Sequence, residues 1–390
     1  MIIFRRLCYA LWLLISVFLF ILDDNVWTLI IMVASVLLPA VSVLSAYLAS
    51  RKVSINLSCS GVCLKNAPLH GEAEITNGSV FPVIRLNFSV YFFNVHNGER
   101  EKLHIGASLG SKENKTVIFD YSSAYAGKIT VSAEDISLLD FLGIAGFGIP
   151  SVNIKSGVIT VEPDICDCAL VVTEVASPLS DSEVYSVKKS GNDPGEIFAI
   201  REYVPGDPIK NIHWKISQKV GNLMVKELGL PTGNDTLILF DTVFRTPSDR
   251  PSKLNIDAMT DFTSSVMQAL VMGEYSFVFA CPVRKQDGIF PADVSVTDEQ
   301  TNNFAINTML SCGFIYVDGN TEDIYRRCLN EKHYRHIVVI TAGNEDFSFL
   351  DDNARINVVS FSDRIQKGLS TYNTVTDYKN FKGILNGYEI

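Results

Sequence analysis

Runs of apolar and polar positions divide the chain of 390 residues into regions with different periods. Residues 7–22 carry no charge, residues 23–25 are Asp-Asp-Asn, and residues 26–49 form a second uncharged run ending before Arg51 and Lys52. A membrane-spanning helix needs ~20 apolar residues. The second run meets that length. The first meets it when residues 2–4 join and Arg5 and Arg6 extend to the headgroups. Residues 1–52 are therefore predicted to be a transmembrane helical hairpin. A cleaved signal peptide is the competing reading of the first run, but no small-x-small site precedes Asp23 and a second apolar run follows at once. Basic residues flank the outer ends and the turn is acidic, which places both ends in the cytoplasm and the protein in the inner membrane as a multi-pass chain. Pro39 predicts a kink, which membranes tolerate.

From residue 53 to 161 the period falls to two. Alternating or β-branched runs occur at 53–57, 73–76, 84–93, 116–121, 127–133 and 158–161, separated by turn signals such as Asn77-Gly78 and Asn97-Gly98. Short strands at this spacing predict a β-sandwich of immunoglobulin or fibronectin-like type. The glycine-rich apolar segment 138–149 is too short to span a bilayer and is expected to pack on a sandwich edge. Residues 162–232 read as a connecting region whose middle, 180–195, is polar and turn-rich. From 233 to 390 apolar strands at 236–241, 275–280, 314–317, 336–341 and 356–361 alternate with amphipathic helices at 256–272, 299–310, 322–332 and 346–354. That alternation predicts a doubly wound parallel α/β sheet.

Composition narrows the function. The net charge is −10 with pI ≈ 5.2, which argues against nucleic acid as a partner. The eight cysteines fit a reducing compartment as free thiols. The close pairs Cys59/Cys63 and Cys166/Cys168 lack zinc-knuckle spacing, and no cofactor is predicted.

Chemistry concentrates at residues 201–215, REYVPGDPIKNIHWK. A strand through Tyr203 is followed by the turn Pro205-Gly206. Asp207 is expected to cap a helix with Pro208 at its first position. Ile209, Ile212 and Ile216 then share one face, Lys210, Lys215 and Lys219 lie opposite, and Gly221 ends the helix. Three readings stay open for the rest. Trp214 is a core anchor while Arg201 pairs with Asp207 or Glu202; or Arg201, Tyr203, His213 and Trp214 form a recognition surface; or His213, with Asp207, does acid–base chemistry. No nucleophile motif accompanies His213.

Arg201, Tyr203, Gly206, Asp207, His213, Trp214 and Lys215 together resemble the signature of the bacterial domain-of-unknown-function family 58. The order of parts is also similar: two N-terminal spans, a β-rich segment, the signature, then a von Willebrand A-like domain. The resemblance implies a membrane-anchored protein whose partner is a MoxR-type AAA+ ATPase, and it implies no established reaction. A von Willebrand A domain carries Asp-x-Ser-x-Ser after its first strand to help hold Mg²⁺. Here Asp241 is present, but Val243 and Arg245 replace the serines. Magnesium needs hard oxygen ligands, so Asp241, together with loop oxygens such as Thr341, is a weak candidate for a metal site, and otherwise caps a loop or pairs with Arg245.

Weaker motifs add little. Residues 106–110 match Gly-x-Ser-x-Gly but precede a strand rather than a helix, so a hairpin loop is expected. His333 and His336 read as surface histidines. Residues 234–390 hold 21 acidic against 14 basic residues, a net of −7, enough to steer a basic partner. The sequence points to a non-enzymatic membrane-anchored scaffold. A metal-dependent ligand-binding module and an enzyme using His213 and Asp207 are its rivals.

Overall fold

The computed structural model describes residues 2–23, 25–166, 185–191, 193–231, 236–245, 250–318, 321–329, 332, 334–343, 347, 349–350, 354–361 and 372–374. The chain separates into two units, Met1–Pro163 and Asp164–Ile390.

In the first unit, α1 (Ile2–Leu22) and α2 (Val26–Ser50) form an antiparallel pair. Both are long and apolar enough to cross a membrane. Their leucine, isoleucine and phenylalanine side chains point mostly outward, while Ser16 and Ser35 are buried between the two helices. Ser16 Oγ lies 3.0 Å from Ser35 Oγ, and the Tyr9 hydroxyl donates to the Ser35 carbonyl. Small polar side chains between helices are the usual contact where no hydrophobic force acts between them. Pro39 is buried inside α2, which continues through it.

Ten strands follow among the described residues: β1 (Val53–Ser58), β2 (Ser60–Leu64), β3 (Leu69–Asn77), β4 (Val83–Asn94), β5 (Arg100–Leu109), β6 (Asn114–Tyr121), β7 (Gly127–Leu139), β8 (Gly146–Phe147), β9 (Ile154–Lys155) and β10 (Gly157–Glu162). One sheet has the order β6-β3-β1-β9; the other runs β2-β10-β7-β4-β5, with β8 folded back on β7. Both are mixed, because β9 joins β1 and β10 joins β2 in parallel. Alternation does the sorting. Val53, Ile55 and Leu57 of β1 are buried, as are Ile129, Val131 and Ala133 of β7, and all belong to one core shared by the two sheets. Phe92 joins them: it stacks on Tyr121 at 4.0 Å and meets Phe119 edge-on at 5.8 Å. The result is a β-sandwich.

Two expectations change here. β5 is missing from the sequence runs because Gly106, Ala107 and Ser108 dilute its β-branched signature, yet Ile105, Ala107 and Leu109 alternate into the core. The Gly-x-Ser-x-Gly stretch is accordingly strand, and only Gly110 lies in the turn. Segment 138–149 folds as the β7–β8 hairpin, with Leu138 opposite Phe147 and Leu139 opposite Gly146.

In the second unit, β11 (Tyr185–Gly191), β12 (Asp193–Glu202) and β13 (Met224–Pro231) form an antiparallel sheet ordered β11-β13-β12, and α3 (Trp214–Val220) sits between β12 and β13 in the chain. There follow β14 (Thr236–Phe240), β15 (Val243–Phe244), α4 (Lys253–Met272), β16 (Phe277–Lys285), β17 (Gly288–Val296), α5 (Glu299–Ser311), β18 (Ile315–Tyr316), α6 (Glu322–Cys328), β19 (His336–Thr341), β20 (Arg355–Ser360) and β21 (Tyr372–Thr374). The main sheet runs β17-β16-β14-β19-β20-β21 and is parallel except for β17. Its central strands are buried nearly throughout, the mark of a sheet covered on both faces. The expected strand at 314–317 is not in this sheet; β18 pairs with β15 in a separate ribbon. β17 was not expected, since residues such as Gly288, Pro291 and Asp293 blur its period. The helix expected over 346–354 and the acidic residues 345–346 and 351–352 fall largely outside the described residues, as do Cys168, His333 and residues 180–184.

A test of the sandwich lies at Gly127, which opens β7 with φ +146°; a Cβ there would collide with the Asn94 side chain. Asn94 holds the β4–β5 turn by accepting from the His96 amide and donating to the Ala126 carbonyl. Gly127→Ala should lose ~1–3 kcal/mol of stability, seen as a lower midpoint in chemical denaturation of the detergent-solubilised chain. An unchanged midpoint contradicts this packing.

Candidate functional site

Residues 203–223 leave β12 and return as β13, and the excursion is stitched at its base. The Tyr203 amide donates to the Leu223 carbonyl and the His213 amide to the Met224 carbonyl, both at 2.8 Å. Ile212 forms a bridge with Val225. Inside this frame one cation organises the turn. The Arg201 guanidinium grips Asp207 with two bonds of 2.7 Å, reaches Glu227 Oε1 with Nε at 2.8 Å, and donates to the Glu202 carbonyl. Asp207 also accepts the Val204 amide at 2.8 Å. The fork geometry of arginine makes this possible where lysine would supply a single point charge. Gly206 supplies the φ of +115° that brings Asp207 round to Arg201.

The electrostatics follow from the clamp. Arg201, together with the Val204 amide, holds the Asp207 carboxyl down at about 2. The two carboxylates raise Arg201 further above its ordinary value. A carboxyl so poised is ionised at neutral pH and is a poor proton donor or acceptor there.

Several expectations are corrected. Asp207 does not cap a helix. The chain makes a 3-10 turn at Ile209–Asn211, and α3 begins only at Trp214, with His213 as its cap through Nδ1 and the Ile216 amide. Ile209, Ile212 and Ile216 therefore do not share one helical face; Ile212 is buried but Ile209 is 71% exposed. Trp214 is not a core anchor, being 63% exposed. Tyr203 and His213 are half-buried and Lys215 is exposed. Gly221 does end the helix, in the left-handed conformation with φ +82°. The exposed apolar side chains Val204, Ile209, Trp214, Val220 and Leu223 thus lie on a short excursion braced by an ion pair, among exposed Lys210, Lys215 and Lys219. Glu227, which completes the brace, was not singled out in the sequence; its only signal is its place on β13, opposite Ala199 and two residues beyond Val225, the residue facing Arg201.

Asp241 follows β14 directly, and the chain continues from β14 to β16 on one side of it and from β19 to β20 on the other. This is the switch point where open α/β sheets bind ligands. The carboxylate is buried and already engaged. Tyr325 Oη donates to Oδ1 at 2.8 Å, Thr341 Oγ1 donates to Oδ2 at 2.7 Å, and the Val243 amide donates to Oδ1 at 2.9 Å. Arg245 donates to Thr321 Oγ1. Donor protons converge where a divalent cation would need lone pairs, and Val243 offers no side-chain oxygen. This set does not fit Mg²⁺.

Two other clusters carry chemistry by type. Ser89 Oγ lies 2.8 Å from His104 Nδ1 at a bulge in β4, in a cavity of about 340 Å³ that Asp135 also lines. Asp135, however, accepts from the Tyr91 hydroxyl, and Ser89 is buried, so the three do not form a relay onto an accessible nucleophile. The Cys281 and Cys312 sulfurs lie 3.1 Å apart. Their mutual contact, then burial, raises the Cys281 thiol, and burial pushes Cys328 up to about 12. Such thiols are weak nucleophiles.

No family model matches this chain, and no curated protein does. Solved structures match over parts of it. A CARDB domain of the PF1109 protein from Pyrococcus furiosus is 18% identical over 28% of this chain and 87% of its own, with a TM-score of 0.22. A β-glucosidase from Listeria innocua is 19% identical over 28% of this chain and 16% of its own, with a TM-score of 0.21. The alkylpurine DNA glycosylase AlkC of Pseudomonas fluorescens is 13% identical over 35% of this chain and 38% of its own, also at 0.21.

The Asp207 carboxyl is lowered by folding, so the stability it contributes is complete above the unfolded value of 3.8 and is lost as pH falls toward about 2. Arg201→Met should move its titration, followed by carboxyl-carbon NMR, back up toward 3.8; a midpoint unmoved by the substitution refutes the clamp. At the switch point, Asp241→Asn should lower stability by ~1–3 kcal/mol, because it weakens bonds to two buried hydroxyls. Millimolar Mg²⁺ or Mn²⁺ should give neither calorimetric heat nor a melting shift; a saturable heat that Asp241→Asn abolishes would restore the metal site.

Proposed function

We propose that this protein is a non-enzymatic, membrane-anchored scaffold whose signature excursion grips another protein on the cytoplasmic side of the inner membrane. The exposure of Trp214 carries the reading. A large aromatic side chain left in water at the first position of α3, on an excursion whose backbone is braced by an ion pair and by bonds at its base, needs little backbone ordering on binding, which is what interface anchors require. The surrounding lysines favour a partner surface with an apolar pocket and an acidic rim. The resemblance of the signature names the partner class, a MoxR-type AAA+ ATPase, working in envelope-related assembly or maturation.

The order of the main sheet, the position of Asp241 and the antiparallel edge strand β17 support the reading of residues 233–390 as a von Willebrand A-like domain that has lost its cation-holding hydroxyls. The sandwich is read as immunoglobulin-like. Asp207, ionised and clamped, and His213, engaged as a helix cap, have structural work that leaves no acid–base pair, which favours scaffold over enzyme.

Affinity capture of the full chain from native membranes should enrich an AAA+ ATPase. Trp214→Ala should weaken that association by ~2 kcal/mol, about 30-fold, with the melting temperature unchanged. If the intact chain enriches no such ATPase, or Trp214→Ala captures it equally well, the proposal falls.

A further inference from the structure

The joint between α2 and the β-sandwich lies higher on the helix than a simple tether would place it. Ser42 Oγ donates to Asp140 Oδ2 at 2.8 Å, and Asp140 also accepts the Leu142 and Ala145 amides at 3.1 and 2.7 Å. Arg6 Nε donates to the Ile144 carbonyl at 2.8 Å, and Tyr47 meets Phe147 edge-on at 5.6 Å. The β7–β8 turn is thereby held against the flank of the hairpin. Ser42 lies eight residues before Ser50, the last residue of α2, or ~12 Å along the axis. The 25 residues of α2 measure ~38 Å against a hydrocarbon core of ~30 Å. Even if all the excess projects on this side, Ser42 lies at or inside the hydrocarbon edge.

Beside it, Phe141 is 67% exposed and forms one wall of a groove of about 530 Å³ with Ala34, Leu37, Leu38 and Val41 of α2. Two more exposed apolar tips adjoin the end of the hairpin. Val80, 63% exposed, is two residues beyond Gly78, whose amide donates to the Lys52 carbonyl at 3.0 Å. Val152, 85% exposed, precedes Asn153, whose Nδ2 donates to the Val53 carbonyl at 3.1 Å and lies 3.4 Å from the Arg51 carbonyl. Exposed Arg6, Arg51 and Lys52 lie at the same end.

We infer that this end of the sandwich is itself a membrane-docking surface: Phe141 enters the acyl chains of the cytoplasmic leaflet, Val80 and Val152 rest at the headgroup boundary, and the basic residues face anionic phospholipid. The inference rests on the reading of α1 and α2 as membrane spans. It gives a reason for Phe141, Val80 and Val152 to stand exposed together beside the hairpin, whereas the other exposed apolar side chains of the sandwich, Val62, Leu64 and Ile118 among them, lie on other strands. It also explains the full hydrogen bonding of Asp140, since a carboxylate near lipid must have its oxygens satisfied. Basic residues beside such apolar tips match the negative cytoplasmic leaflet.

The test is photo-crosslinking in the full chain, reconstituted into vesicles of phosphatidylethanolamine and phosphatidylglycerol, with adducts identified by mass spectrometry. The substitutions Leu37→p-benzoylphenylalanine, Phe141→p-benzoylphenylalanine, Val152→p-benzoylphenylalanine and Phe93→p-benzoylphenylalanine all replace exposed side chains. Phe93 pairs with Thr130, whereas Arg85 pairs with Leu139, so Phe93 lies ~26 Å along β4 from the joint. Lipid adducts are expected at 37, 141 and 152 and none at 93. Adducts at 37 without adducts at 141 overturn the docking surface and leave the spans standing. No adduct at 37 overturns the spans and the inference together. Equal labelling at 93 and 141 overturns the specificity claimed for this end.

Discussion

A buried carboxylate joins the helical hairpin to the β-sandwich. Asp140 would be costly near an apolar helix if any of its bonds were missing, because an unsatisfied buried charge is far more expensive than a paired one. Ser42 and two backbone amides meet that demand, and they do so only when the β7–β8 turn is folded and seated. Helix, turn and sheet are thus interdependent. The same logic recurs in the second unit, where Asp241 gathers the hydroxyls of Tyr325 and Thr341 and so ties the first parallel strand to β19 and α6.

The signature excursion works in the opposite sense. Arg201, Asp207 and Glu227 face one another, while several of its apolar side chains, Ile209 and Trp214 among them, face outward. The ion pairs of Arg201 with Asp207 and Glu227 satisfy these charges within the excursion, while Trp214 and Ile209 remain exposed. Seven of the motif's residues divide cleanly by this rule. Arg201, Gly206, Asp207 and His213 shape the backbone; Trp214 and Lys215 are presented; Tyr203 is half-buried at the base.

Much of the fold was legible from period alone. The two apolar helices, the strands with clean alternation and the central parallel strands appear close to where the pattern placed them, because burial on one or both faces leaves a direct trace in sequence. β5 and β17 escaped because small or turn-forming residues occupy their alternating positions. The site was legible as a set of residues but not as an arrangement. Asp207-Pro208 reads locally as a helix start, and that propensity is real; the Arg201 fork, meeting Asp207 from the neighbouring strand, outcompetes it. Nothing in linear spacing marks Trp214 as exposed, since an isolated tryptophan among isoleucines has the same pattern whether it faces core or water.

The seating of the sandwich against α2 also limits rotation. A body attached only through residues 51–52 could swivel about the chain, whereas one held at Ser42, Arg6, Tyr47 and Lys52 keeps a fixed azimuth relative to its helices. On the proposed reading of α1 and α2 as membrane spans, two such molecules in one bilayer would meet edge to edge in a limited number of orientations, so the search for a neighbour becomes planar and pre-aligned instead of three-dimensional.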